Sequence, residues 1–336
     1  MERMQSASAI ALIVSTLMSF SAFAQEERTR VRIQDYPGTG NMLFRIAISK
    51  GFCEKHGITC ELKIIPSGPL GASALLSKSI DVGFFPAEVQ ISAMIAGAKL
   101  KAILSGARLN PFAIVVRNDP DLLHGVRQFP ELMTALKGRR IGVPARGGSA
   151  ELQFGLLAKK ARLTPADFTY VAVGAPSTSY GALVSKQIDA SMANEPSLSM
   201  CEVLQTCTVV FSLSETDEPP EIARTNGGVT NSVVTDEMSE RNPRVVDALI
   251  AAAKDAEIFV QNPANFDEAL QIAKSFFSFD LPKGDEIMER SFKRTLPTLR
   301  SSIDRAALGQ IAENMLAMKQ IEAPFDPTRL VHAKAP

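Results

Sequence analysis

The stretch Arg146-Gly147-Gly148-Ser149 places side by side the groups an anion needs: a guanidinium that grips paired oxygens, two residues without a Cβ, and a hydroxyl. A segment with helical periodicity follows from Ala150, so the backbone N–H groups here would stand at the positive end of a helix dipole. The competing reading is an ordinary turn, with Ser149 as N-cap and Arg146 in solvent. Other polar residues occupy similar places. Thr39, Gly40 and Asn41 precede one apolar periodic segment, Ser67 precedes another, and Pro86 and Glu88 bracket the start of a third. Gly174, Asn194 and Glu195 recur at such points further along. Each is either a hydrogen-bonding group for a ligand or a helix-capping residue. Tyr36 would stack on a ligand or cover a sheet edge. With no Trp and three Tyr, an aromatic cage for a quaternary amine is not expected.

Catalysis asks for more than these residues supply. His56, His124 and His332 are the only histidines and fall outside these turns, and G-x-S-x-G, H-E-x-x-H and G-x-x-x-x-G-K-[ST] do not occur. No catalytic residue, cofactor or metal is therefore expected. The alternative is an enzyme that works in the same cleft with an unrecognised set.

The elements that position these turns are set out twice. Ala74-Leu75-Leu76-Ser77-Lys78-Ser79-Ile80-Asp81 matches Ala182-Leu183-Val184-Ser185-Lys186-Gln187-Ile188-Asp189 at six of eight positions, with a spacing of 108 residues. The same spacing, without a gap, lays Val31 to Asp35 on Arg139 to Val143 and Gly38-Thr39-Gly40-Asn41 on Arg146-Gly147-Gly148-Ser149. Each unit reads as a strand, a Gly-containing turn and a helix (Met42 to Glu54, or Ala150 to Ala161). A second strand follows (Thr59 to Ile65, or Phe168 to Val173), then a turn, a helix and a third strand (Ile80 to Phe84, or Ile188 to Met192). Alternation of strand and helix implies two α/β lobes with mostly parallel sheets. Ligands bind such sheets beyond the carboxyl ends of their strands, where the paired turns would face each other across one cleft.

The last third is helical instead, with Val245, Val246, Leu249, Ile250, Ala253, Ala256, Phe259 and Val260 on one face, and further helices near Phe266 to Phe276 and Arg305 to Lys319. Extended segments at Phe112 to Val116 and Gly228 to Thr235 would carry the chain between lobes and form a hinge. The expected division is 25–112 with 225–336 as the first lobe and 113–224 as the second.

At the N-terminus, Arg3, an apolar run from Ala7 to Phe20, and Ser21-Ala22-Phe23-Ala24 read as a cleavable export signal over residues 1–24. No Cys follows the cleavage point, so a lipid anchor is not expected. Cys53 with Cys60 and Cys201 with Cys207 are candidate disulfides for an exported protein, since neither pair has metal-type spacing. Basic and acidic residues balance at 36 each, which argues against a nucleic-acid partner.

Taken in order, several segments resemble the solute-binding components of ABC transporters of the sulfonate, nitrate and taurine type, a group related to thiamine-precursor synthases. They are Asp35 to Asn41, Gly51-Phe52 with Gly57-Ile58, Ser77 to Gly83, Phe112 to Arg117, Leu136 to Val143, Ile188-Asp189-Ala190 and Asn194-Glu195-Pro196. The resemblance implies a type II periplasmic-binding-protein fold, a monomer that closes on a small solute (sulfonate, nitrate, carboxylate or pyrimidine), and an ABC permease as partner in the inner membrane. It leaves the solute open. The cysteine cluster of the pyrimidine-synthesising relatives is absent, which puts that activity in doubt. A sensor reporting the solute to a membrane receptor would need the same closure.

Overall fold

The computed structural model describes residues 28–336 apart from 120, 121, 123, 124 and 127; the export segment read at residues 1–24 and His124 lie outside the described residues. In chain order the strands are β1 (Thr29–Asp35), β2 (Ile58–Ile64), β3 (Gly83–Pro86), β4 (Leu100–Ser105), β5 (Ala113–Arg117), β6 (Arg140–Val143), β7 (Thr169–Ala172), β8 (Ala190–Ala193), β9 (Cys207–Ser212) and β10 (Thr230–Thr235).

They form two arrays of one plan. β2 pairs parallel with β1, which reaches β3 through the parallel bridge Ile33–Val82, and β10 runs antiparallel between β3 and β4. In the second array the order is β7-β6-β8-β5-β9, with β5 antiparallel between β8 and β9. Each array therefore takes its antiparallel strand from the segment that arrives from the other: β5 directly follows β4, and β10 directly follows the second array. Two chain crossings, about 106–112 and 224–229, join the lobes.

The internal repeat is also a repeat of contacts. Arg32 donates from its backbone N and its guanidinium to Asp81 and caps the Lys78 carbonyl. Arg140 does the same with Asp189 and the Lys186 carbonyl. Lys78 and Lys186 share the left-handed conformation that ends the preceding helix. These clamps also explain why the third strands start later than the pattern predicts. Asp81 and Asp189 are held by side-chain bonds in a turn, so the ladders begin at Gly83 and Ala190 instead of Ile80 and Ile188.

A second difference lies in the first helix. The periodicity predicts a continuous helix from Met42 to Glu54, but the chain forms Met42–Ser49 and Phe52–Lys55, because Gly51 between them turns left-handed at φ 69°. The short second helix brings Cys53 to Cys60 on β2 as a disulfide, and Cys201 joins Cys207 between a helix and β9 in the same way. The C-terminal helices Pro243–Gln261 and Phe266–Phe276 bury their apolar faces on the first array through Val246, Leu249, Ala253, Ala269 and Ala273. Helix Gly284–Thr295, which the apolar pattern did not reveal, straddles the lobes: Met288 and Phe292 enter the first core, and Ile287 enters a core built on β5 and β8. Among the described residues, no helix is long and apolar enough to cross a membrane.

Candidate functional site

Helices Met42–Ser49, Gly68–Leu76, Ala87–Ile95 and Ser149–Lys160 all start where a cavity of about 110 Å³ opens between the lobes. Tyr36, Gly40, Ser67 and Pro86 line it from the first lobe and Ala145, Gly148, Ser149 and Asn194 from the second. The first crossing adds Gly106, Pro111 and Phe112, and the start of β10 adds Thr230. Seven of the residues singled out in the sequence are thus brought to one cavity, with Phe84, Phe112, Pro111 and Pro144 as apolar walls. None of the lining residues carries a formal charge.

Buried groups behind the wall hold these turns in place. Arg45, 1% exposed, donates to both oxygens of Asp35 and to the carbonyls of Tyr36 and Gly38, which fixes the bend after β1. Gln34 donates to the carbonyls of Ile65 and Ser67 and accepts from the Phe84 N–H, tying three turns together. Neither residue stood out in the sequence, since a polar side chain inside an apolar segment gives no hint of where its bonds lie. Tyr36 lines the cavity, and burial pushes its phenol pKa up to about 12, so it stays neutral. The helix Ser149–Lys160 has no side-chain cap at its N-terminus, where Gly148, Ser149 and Ala150 line the cavity.

The other expected residues are engaged elsewhere. Arg146 does not line the cavity: it forms a two-pronged ion pair with Glu151, one turn into its own helix, and lies over the Tyr170 ring. Glu151 also accepts from the Gly147 N–H, so the turn is closed by its own carboxylate rather than by an external anion. The Thr39 hydroxyl bonds to Ser291 and Thr295, and the Asn41 amide donates to the Gln34 carbonyl. Gly174 serves its turn with φ 74° and does not reach the cavity. Glu195 accepts from Arg294 and Ser199.

Those last contacts show how closely the lobes approach. Arg294, on the helix anchored to the first lobe by Thr39, bonds Glu195 at 2.6 Å and Glu202 at 2.7 Å, and Arg290 pairs with Glu202. Gly38, with φ 129°, lies so near the Glu195 carbonyl that a Cβ would stand 3.0 Å from it. Glu88, 3% exposed, accepts from the Ser149 hydroxyl at 2.9 Å across the same divide. The two lobes are thus in direct contact beside the cavity. Among the described residues, no group of three or more His, Cys, Asp or Glu could hold a metal ion.

Known proteins share this fold. The alkanesulfonate-binding protein SsuA of Xanthomonas axonopodis superposes with a TM-score of 0.70 at 18% identity, covering 92% of this chain and 98% of that one. The periplasmic nitrate-binding protein NrtA of Synechocystis gives 0.70 at 14% identity, covering 90% and 84%. The fold is thus the two-lobed periplasmic-binding-protein fold that the family resemblance implies. A Brucella abortus protein, provisionally named a binding protein, is 26% identical over 300 residues, which are 88% of this chain and 86% of that one. The profile of the NMT1-like family matches residues 24–274, and the chain belongs to the NMT1-like family.

Proposed function

We propose that this protein is the extracytoplasmic solute-binding component of an ABC uptake transporter, and that it closes on a small solute with an apolar part and a polar or anionic head. The observation that carries this reading is the cavity itself. It is enclosed by both lobes, walled by uncharged residues, and ringed by the starts of four helices. Convergent N–H groups offset negative charge without a cationic side chain, while Phe84 and Phe112 suit the apolar part. The relatives named above as binding sulfonate or nitrate support the same assignment. The cavity-lining residues include no His, Cys, Lys, Asp or Glu, which supports the reading of a binding protein.

In this reading the halves 25–112 with 225–336 and 113–224 turn about the two crossings. The solute shifts the population toward the closed form by touching both. Arg294 ties the helix Gly284–Thr295 to the second lobe through Glu195 and Glu202, so its loss slackens one of the contacts that hold the lobes together. Arg294→Ala is expected to weaken solute binding about tenfold, a loss of roughly 1.4 kcal/mol, with the melting temperature of the solute-free protein nearly unchanged. Calorimetry with the same solute on both proteins checks it, and equal affinities would remove the pair from closure.

The assignment is tested by a thermal-shift screen of the exported chain against sulfonates, nitrate, carboxylates and pyrimidines, repeated with Arg146→Ala. A solute that binds the folded state at 100 times its Kd adds about 2.7 kcal/mol of stability. At least one class is expected to stabilise the protein, and Arg146→Ala is expected to respond equally, because its guanidinium is held by Glu151 outside the cavity. No response to any class would overturn the assignment.

A further inference from the structure

A chain of hydrogen bonds runs from the first crossing to Glu88, and its direction is set by the backbone. The Phe112 N–H can only donate, and it donates to Asn110 Oδ1 at 3.2 Å. That turns Asn110 Nδ2 toward Gln153 Oε1 at 2.6 Å, which in turn points Gln153 Nε2 at Ser149 Oγ at 2.7 Å. Ser149 Oγ therefore already accepts one bond, and its single proton goes either to Glu88 or into the cavity that it lines. When Glu88 is ionised, Oε1 takes that proton in a 2.9 Å bond, and Ser149 shows the solute only a lone pair. When Glu88 is protonated it donates to Ser149 instead, and the serine proton is released to the solute.

Resting on the binding-protein reading above, we propose that Glu88 sets the hydrogen-bond polarity that Ser149 presents to the solute, so that a solute with an anionic oxygen binds together with a proton on Glu88.

The surroundings of Glu88 favour that proton. Its Oε2 is buried without a hydrogen-bond partner, so an ionised carboxylate would leave charge uncompensated there. The neighbouring segments Gly68–Leu76, Gly83–Pro86 and Thr230–Thr235 hold no titratable side chain. On the two helices packed against it, Glu151 pairs with Arg146, Lys159 caps the Ala317 carbonyl, Lys160 pairs with Glu221, Arg305 bonds the Ala335 carbonyl, and Glu313 is exposed. Burial accordingly pushes the Glu88 pKa up to about 7. The raised value means that the closed form binds more protons than the open, solvated form between pH 4.5 and about 7, so rising pH works against closure across that window. An anionic solute adds to this preference, since it would otherwise face both a carboxylate and a serine that cannot donate.

The test measures thermal stabilisation by methanesulfonate at pH 5.5 and pH 8.5 in the wild type, Glu88→Gln and Ser149→Ala. The wild type is expected to bind more tightly at the lower pH, by about tenfold or more, because the proton on Glu88 is taken up with the solute. Glu88→Gln, whose amide donates to Ser149 permanently, is expected to bind equally at both, and Ser149→Ala to bind weakly at both. Equal wild-type binding at the two pH values, a pH dependence that survives in Glu88→Gln, or no binding of methanesulfonate at either pH each overturns the proposal. The broader screen, which includes uncharged pyrimidines, decides the binding-protein reading separately.

Discussion

Gly40→Leu is expected to abolish solute binding, a loss of about 100-fold or more, while leaving the protein folded. Gly40 lines the cavity, and a Cβ built there meets nothing closer than the Phe84 ring at 4.0 Å, an ordinary contact. Its backbone is outside the left-handed region, so a larger residue is not strained. The added carbons would grow into a space of about 110 Å³, which leaves little for a solute. The contrast with Gly68 is instructive, for there a Cβ would lie 2.7 Å from Pro86 and the turn itself would have to shift. Titration calorimetry with the best solute from the screen, alongside melting curves, checks the expectation. Retained affinity would show that the solute sits elsewhere.

Why the sequence pattern brings Gly40 to the cavity but does not show that Arg146 pairs with Glu151 follows from what a repeat can and cannot carry. The 108-residue spacing laid Gly38 to Asn41 on Arg146 to Ser149, and both turns do lead into helices at one cavity. Backbone placement is periodic, so it survives in the pattern, as do the Arg32–Asp81 and Arg140–Asp189 clamps at equivalent positions. Side-chain direction is not periodic. Arg146 turns outward because Glu151, five residues on, offers a paired carboxylate at 3.0 Å, and an exposed ion pair within one turn forms more readily than one across an open cleft. Thr39 was lost for a related reason: its partners, Ser291 and Thr295, are about 250 residues away on a helix whose apolar residues are too few to betray it. The apolar walls at Phe84 and Phe112 were hidden too, because in sequence they read as strand core.

Arg45→Met is expected to destabilise the protein by about 3–5 kcal/mol, the cost of stranding a buried partner. Both side chains of the Arg45–Asp35 pair are almost wholly buried, at 2% and 4% exposure. Burial already pushes the Asp35 pKa above its ordinary value, against the pull of Arg45 and of the Tyr36 N–H. Without the guanidinium that burial acts unopposed. The carboxyl then takes up a proton on folding, so the variant's stability falls as pH rises from the ordinary carboxylate range, and its deficit shrinks on acidification. The bend after β1 loses more than charge, since the Tyr36 and Gly38 carbonyls also lose their donor and the two residues hold the cavity wall and the lobe contact at Glu195. Urea unfolding at pH 5 and pH 7.5 measures the loss, and the double variant Arg45→Met with Asp35→Leu separates its two parts. If charge dominates, the double variant regains most of the stability, because two apolar side chains of similar volume replace the pair without a stranded ion. Solute affinity in that double variant should nonetheless stay low, since a thioether side chain has no N–H with which to hold the Tyr36 and Gly38 carbonyls in place; full recovery of both would reduce Arg45 to a packing residue with no hold on the site.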